Sequence, residues 1–323
     1  MRKNSLATAL LLLAFAPFAW AEPIVATLGE PIVAISAPLS AASPLAVPPS
    51  IFSPELAAEP LAALDFDRQV RASLGKAVAV EAAKLASLTE HMTYAQSSGA
   101  KLVLVPFDGQ QLPHLSADAL AQAEPGEQLV YLNWSLARSD RYGLERAGLS
   151  AAEAQRVTAL SLAPVVGHEL RHLELRHAAG RDFPGLREEE ILTHLDQAEA
   201  VDEVFRANPE LQGAKNLLNQ QFVYLHNDKL LSRWKERFGS VVDYVVAKYS
   251  NAPSLSDPRK NAEIARELRE AWGNDPAVPA IWREKIGRAV EFWEDPDAVA
   301  AVTSLIQDRI NAAYARYQRL RAR

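Results

Sequence analysis

The sequence predicts a predominantly α protein with a small β-sheet, an α+β fold that ends in a C-terminal helical bundle. Most of the chain after residue 60 carries apolar residues at the spacing of helices. Only two segments, 101–107 and 128–134, have the short apolar character of buried strands. About half of the 323 residues are hydrophobic, which is enough for a substantial core.

The first 21 residues have the features of a secretory signal peptide. Arg2 and Lys3 precede an apolar run over 6–18, and Ala19 and Ala21 occupy the two positions that signal peptidase recognises. The run is too short for a comfortable membrane span. We therefore expect a periplasmic or secreted protein. No cysteine follows that could carry a lipid anchor.

Residues 22–60 are rich in proline, alanine and serine. Prolines remove backbone donors and small side chains bury little surface, so this segment is predicted to be a flexible linker, with a pro-segment as the alternative. The remainder is expected to divide into a first domain over 61–206 and a helical C-terminal subdomain over 207–323. The net charge of −6 and the lack of a long basic stripe argue against nucleic acid as a partner.

Apolar spacing predicts a helix over about 66–94, before the strand at 101–107. A short helix is expected around 116–122, ahead of the strand at 128–134. That second strand is our candidate for an exposed sheet edge that could bind an extended peptide, with a core strand as the alternative.

Ser150 and Glu153 form a capping box, Ser-x-x-Glu, at the start of a long helical pattern. Pro164 lies within this pattern and is expected either to kink the helix or to end it and begin another. A turn at 180–185 then leads to a second helix over about 186–206. Later helices are predicted over 210–249, 258–272, 279–293 and 297–321.

The long helical pattern contains the motif His168-Glu169-Leu170-Arg171-His172. Residues four apart lie on one face of a helix, so His168 and His172 can both reach one metal ion. Glu169 points to the side, where it can reach a water molecule on that ion without being a ligand. Zinc lowers the pKa of such a water, and a neighbouring carboxylate can accept its proton. Since the chain has no cysteine, other ligands must come from His, Asp or Glu.

The motif resembles the active-site helix of the zincin metallopeptidases, and the order strand, helix, turn and acidic second helix is similar to their gluzincin branch. The similarity covers roughly 101–206. It implies a zincin-like catalytic domain over 61–206 with two consecutive active-site helices. It also implies zinc ligation by His168 and His172, and Glu169 as the general base.

The third ligand distinguishes the branches of this family. A metzincin would place glycine and histidine where this chain has Leu175 and Ala178, and His177 misses the required position by one residue, about 100° around a helix. We therefore expect His177 to be a surface or supporting residue. The gluzincin pattern implies a glutamate from the second helix instead.

Helical projection selects among the glutamates of the second helix. Leu192 and Leu195 mark its buried face, which Glu188 shares, whereas Glu189 is predicted to face solvent. Since a buried carboxylate is costly without a cation, Glu188 is favoured as third ligand. Glu199 comes second and Glu190, on the flank, third.

Supporting residues are less well defined by the sequence. Asp202 and Glu199 are candidates to accept a hydrogen bond from a ligand histidine. Tyr224 and His226 are open candidates for stabilising an oxyanion. The sequence thus predicts an exported zinc metallopeptidase that hydrolyses peptide bonds through zinc-activated water, with a peptide or protein substrate. The alternative is an exported helical binding or scaffold protein with a non-catalytic metal site.

Overall fold

Helices make up most of the described chain, and a small sheet interrupts them once. The structure is a computed structural model that describes residues 65–107, 115, 119–124, 126, 128–212, 216–226 and 241–321. The predominantly α fold with a small sheet is confirmed. The predicted signal peptide and the proline-rich segment at 22–60 lie outside the described residues.

The helix predicted over 66–94 is interrupted. It consists of α1 (Asp65–Lys84) and α2 (Thr89–Ser98), with one 3₁₀ turn at Ala86–Leu88 between them. Gly99 caps the C-terminus of α2 with a left-handed φ of 73°, and the first strand begins two residues later. The interruption matters because the 3₁₀ turn packs against the helix that carries the histidine motif.

In the part of the chain that the structure describes, the sheet has three strands in the order β1–β3–β2. Both predicted strands are present, as β1 (Lys101–Val105) and β3 (Leu129–Asn133), and they pair in parallel. The sequence missed β2 (Ala121–Glu124), which pairs antiparallel with β3. The prediction of a short helix around 116–122 is therefore wrong for residues 119–122, and residues 116–118 lie outside the described residues. The prediction that 128–134 forms a sheet edge is also wrong, because β3 is the central strand.

Two long helices follow α3 (Trp134–Arg146). The first, α4 (Ala151–Ala178), begins with the predicted capping box, in which the Glu153 amide donates to Ser150 Oγ at 3.3 Å and the Ser150 amide to Glu153 Oε2 at 3.0 Å. The helix is continuous through Pro164, so the alternative of two separate helices is excluded. The second helix is α5 (Arg187–Ala207).

In the described residues after α5, the regular elements are a 3₁₀ turn at Pro209–Leu211 and five helices joined by turns. Within the predicted helix over 210–249, residues 217–226 and 241–248 are helical, whereas 213–215 and 227–240 lie outside the described residues. The three later predictions agree with the structure to within about one residue. These helices are α6 (Leu217–His226), α7 (Val241–Lys248), α8 (Pro258–Trp272), α9 (Ala280–Glu294) and α10 (Pro296–Arg321).

Backbone contacts divide the chain into two compact units. One contains 65–173 and 196–226, with the sheet and most of α4; the other contains 174–195 and 241–321, with α7 to α10. In the second unit α8 packs against α9, and α9 against α10. None of the helices described combines the length and the apolar character that crossing a membrane requires.

Candidate metal centre

The two motif histidines lie on one buried face of α4. His168 is 1% exposed and His172 is 6% exposed. Their ring centroids are 5.0 Å apart with the ring planes at 64°, as expected for side chains one helical turn apart. Glu169, between them in sequence, is 2% exposed. The motif is therefore an interior feature of the fold and not a polar stripe on a solvated helix.

Glu190, from the first turns of α5, joins the two histidines. One nitrogen from each of His168 and His172 and one carboxylate oxygen of Glu190 all lie within 4.8 Å of one another. All three side chains are buried. This group could hold a metal ion. Two imidazoles and a carboxylate suit zinc, with ligand bonds of about 2 Å, and they also suit iron(II).

The two neighbouring glutamates of α5 have other partners. Glu188 accepts hydrogen bonds from Ser254 Oγ and, at 3.1 Å, from the Leu255 amide. Glu189 is 1% exposed, so the prediction that it faces solvent is wrong. It is the third residue of α5, and its Oε2 accepts from the Leu186 amide at 3.4 Å, the capping-box position. It also forms an ion pair with Arg176 at 3.5 Å.

An amide side chain holds one ring nitrogen of His168. Its Nδ1 lies 3.0 Å from Oε1 of Gln197, which is two turns after Glu190 on α5. Gln197 Nε2 in turn donates to Gln221 Oε1 at 2.9 Å. A metal-binding histidine usually donates its other ring N–H to such a partner. Gln197 thus engages Nδ1 of His168, and one ring nitrogen of His168 belongs to the ligand group with His172 and Glu190.

A buried ion pair joins α4 to α5 beside the ligands. Arg171 Nε donates to Asp196 Oδ2 at 2.8 Å, and both side chains are at least 95% buried. His91 Nε2 lies 3.8 Å from the same carboxylate oxygen, and Glu90 Oε2 lies 3.7 Å from Arg171. Breaking a buried pair of this kind is strongly destabilising because it leaves an uncompensated charge. The pair thus fixes α4 and α5 against each other next to His172.

Lys248 brings a positive charge to the surroundings of Glu190. Lys248 is partly exposed, but protein surrounds most of its side chain. Desolvation lowers the pKa of its ammonium group to about 8, and the negative charge of Glu190 opposes this shift. Its Nζ lies 5.0 Å from the ring centroid of Tyr249. His194 Nδ1 donates to the Glu190 carbonyl at 2.8 Å, which also holds this turn of α5.

The other predicted site residues are found elsewhere. Glu199 is partly exposed on α5 and does not belong to the ligand group, and neither does Glu188. Asp202 pairs with Arg206 at 2.9 Å on a solvated part of α5. His177 is exposed, as predicted for a surface residue. The side chains of Tyr224 and His226 are outside the described part of the structure.

Sequence reasoning missed Gln197, Gln221 and Lys248. A signal for one of them existed, because Gln197 follows Glu190 by seven residues and therefore shares its face of the helix. Choosing Glu190 as the ligand would have pointed to Gln197. Gln221 and Lys248 come from later helices, α6 and α7, and no local pattern of the sequence connects Gln221 with Gln197 or Lys248 with Glu190.

Comparisons of the chain with protein-family models, with curated proteins and with solved structures found no match. The resemblance to zincins therefore remains a prediction based on the motif. What the structure adds is the convergence of two histidines and a carboxylate in a buried position. Their donor chemistry fits a divalent transition metal.

Proposed function

We propose that this protein is an exported zinc metallopeptidase in which His168, His172 and Glu190 hold the ion and Glu169 is the general base. The observation that carries the proposal is the buried convergence of three ligand atoms from two consecutive helices. Zinc bound there would polarise a substrate carbonyl and lower the pKa of a water molecule. Iron(II) also fits the ligands, but the glutamate directly after the first histidine favours hydrolysis.

Glu169 suits the role of base because of its place on α4. Successive helical residues point about 100° apart, so Glu169 adjoins His168 without sharing its ligand direction. Its carboxylate would accept a proton from the attacking water and return it to the leaving amine. Peptides are proposed as substrates because the motif resembles that of zincins, and export because of the N-terminal sequence.

The first test is metal analysis and hydrolysis with the purified protein. We expect about one zinc per chain, and cleavage of a mixed peptide library that a chelator abolishes and added zinc restores. Glu169→Gln should keep the zinc and lower kcat by about 10²- to 10⁴-fold, the usual contribution of a general base. Full activity in Glu169→Gln would rule out Glu169 as base, and iron in place of zinc would overturn the metal assignment.

Glu174→Gln is a matched control for this test. Glu174 is a buried glutamate on the same helix, but its carboxylate pairs with Arg309 of α10. Its neutralisation should lower stability while zinc content and kcat stay close to those of the wild type. A similar fall in kcat in both variants would mean that any buried charge change on α4 impairs the enzyme, against a specific role for Glu169.

A second candidate function is a binding or scaffold protein with a structural metal site. The burial of all three ligands and of Glu169 favours it, because structural zinc sites are closed whereas catalytic sites keep a position open to substrate. In this case zinc removal would unfold the protein, and no peptide in the library would be cleaved.

A further inference from the structure

A line of buried side-chain amides runs from backbone carbonyls to the first histidine of the motif. Gln221 Nε2 donates to the Ser161 carbonyl at 2.7 Å and to the Leu217 carbonyl at 3.2 Å. Gln221 Oε1 accepts from Gln197 Nε2, and Gln197 Oε1 faces His168 Nδ1. Gln221 is 0% exposed and Gln197 8%, so water does not substitute for these bonds.

The backbone carbonyls fix the direction of every bond in this line. A carbonyl only accepts, so the Gln221 amide must turn its NH₂ group toward Ser161 and Leu217. Its oxygen then faces Gln197, which must donate with its own NH₂ group. The Gln197 oxygen is left facing His168, and the bond forms only if Nδ1 of His168 carries a proton.

The opposite arrangement places acceptors against acceptors. If Nδ1 carried the lone pair, Gln197 would have to flip to donate to it, and its oxygen would then face the oxygen of Gln221. Flipping Gln221 as well would place that oxygen against two backbone carbonyls. Each unmade bond in a buried position costs about 1–3 kcal/mol, so the line has one favourable direction.

We infer that Gln197 and Gln221 are positioning residues that keep the neutral His168 protonated on Nδ1 and so present Nε2 to the metal. The part concerning metal rests on the proposed function, whereas the tautomer of His168 follows from the amides alone. A histidine whose tautomer is fixed in advance binds an ion without first reorganising, and loss of such a partner typically costs 10- to 100-fold in metal affinity.

The neutral amide also suits the charge of this site. A carboxylate partner, as the sequence suggested with Asp202 or Glu199, would add a third negative charge beside Glu169 and Glu190. Two carboxylates already balance a divalent cation, so an amide orients the ring without burying excess charge. Gln197 therefore orients the His168 ring without changing the net charge of the site.

The tautomer can be read directly by ¹⁵N NMR of histidine-labelled, metal-free protein at pH 8, since protonated and unprotonated ring nitrogens have well-separated shifts. The His168 signals are assigned by their loss in His168→Gln. We expect a protonated Nδ1 and an unprotonated Nε2 in the wild type. A proton on Nε2 in the wild type would overturn the inference without any variant at the glutamines.

Variants test the two glutamines separately. Gln197→Leu and Gln221→Leu should give a mixture of tautomers and weaken zinc binding about 10- to 100-fold in competition with a chromogenic chelator. Gln197→Glu should retain the Nδ1 proton and bind zinc more tightly than Gln197→Leu, because its carboxylate still accepts from Nδ1. Unchanged tautomer and affinity in both leucine variants would refute the role of the amides.

Asn208→Leu is the matched control. Asn208 is a buried amide at the end of α5 whose Nδ2 donates to the Val204 carbonyl at 2.9 Å. Its replacement should lower stability while the His168 spectrum and the zinc affinity stay unchanged. Absence of zinc binding in the wild type would refute the proposed metal site, whereas the spectrum of His168 would still decide the direction of the amides.

Discussion

Each of the three glutamates at the start of α5 meets a different partner because successive helical residues point about 100° apart. Glu188 binds the turn at Ser254 and Leu255, Glu189 caps its own helix, and Glu190 joins the histidines. The three carboxylates are adjacent in sequence and chemically alike. Their roles are therefore set by helix phase and by what packs against each direction.

Glu190→Gln and Glu188→Gln should separate ligand from anchor. Glu190→Gln removes the charge of a proposed ligand, so we expect zinc affinity to fall by more than about 100-fold, beyond the usual effect of a supporting hydrogen bond. Glu188→Gln should keep the zinc and lower the thermal midpoint instead, because it weakens the anchor to Ser254 and Leu255. Inductively coupled plasma mass spectrometry and calorimetry measure the two effects. If Glu188→Gln lost its zinc and Glu190→Gln kept it, Glu188 and not Glu190 would be the ligand.

The sequence could predict the histidine pair because both residues lie on one helix, where spacing alone determines the face. It could not rank the glutamates, because helical projection assumes one apolar and one solvated side. The α5 helix is buried on almost every side between 189 and 198. When a helix is buried on all sides, a polar residue does not indicate which face is exposed to solvent. The prediction that Glu189 faces solvent is wrong for this reason.

The α4 helix makes a close contact just before the motif. Gly167 precedes His168, and a Cβ at that position would overlap with the buried side chain of Leu88 in the 3₁₀ turn after α1. Glycine in a helix costs about 1 kcal/mol relative to alanine. Its presence here is explained by the packing of that turn directly against the motif helix.

Gly167→Ala should destabilise the wild type but stabilise a Leu88→Ala background. In the wild type, overpacking of about 1–3 kcal/mol outweighs the gain in helix propensity; with Leu88 truncated, only the gain remains. Urea denaturation of the wild type, Gly167→Ala, Leu88→Ala and the double variant gives the coupling free energy between the two positions. Gly143→Ala in α3 is the control, since open space surrounds that Cβ position, and it should stabilise both backgrounds by about 0.5–1 kcal/mol. Equal effects of Gly167→Ala in the two backgrounds would exclude the contact.

Helices were more predictable than the sheet for a physical reason. Capping residues and periodicity are local, so the Ser150–Glu153 box and the helix at 258–272 agree with the structure. Strand β2, by contrast, is held by its pairing with β3, and its sequence Ala-Gln-Ala-Glu has no strand character of its own. The same pairing makes β3 central, which the sequence of β3 alone could not reveal.

Asp140 joins three helices of one unit. Its Oδ2 accepts from Thr158 Oγ1 of α4 at 2.8 Å, and its Oδ1 accepts from the Leu217 amide of α6 at 2.9 Å. Desolvation by burial raises the pKa of this carboxyl above its usual value, although both hydrogen bonds act in the opposite direction. The folded state therefore holds the Asp140 proton more tightly than the unfolded chain does.

This proton linkage predicts how global stability responds to pH. Because the folded pKa is the higher one, the contribution of Asp140 is most favourable below the unfolded pKa, about 3.9, and is lost as pH rises through the folded value. Asp140→Asn keeps an acceptor for Leu217 and can donate to Thr158, but does not ionise. Its stability relative to wild type should therefore improve with rising pH, by about 1.4 kcal/mol for each unit separating the two pKa values. Urea denaturation from pH 4 to 8 with chelator, which keeps metal binding out of the measurement, provides the test; parallel curves for the two proteins would contradict it.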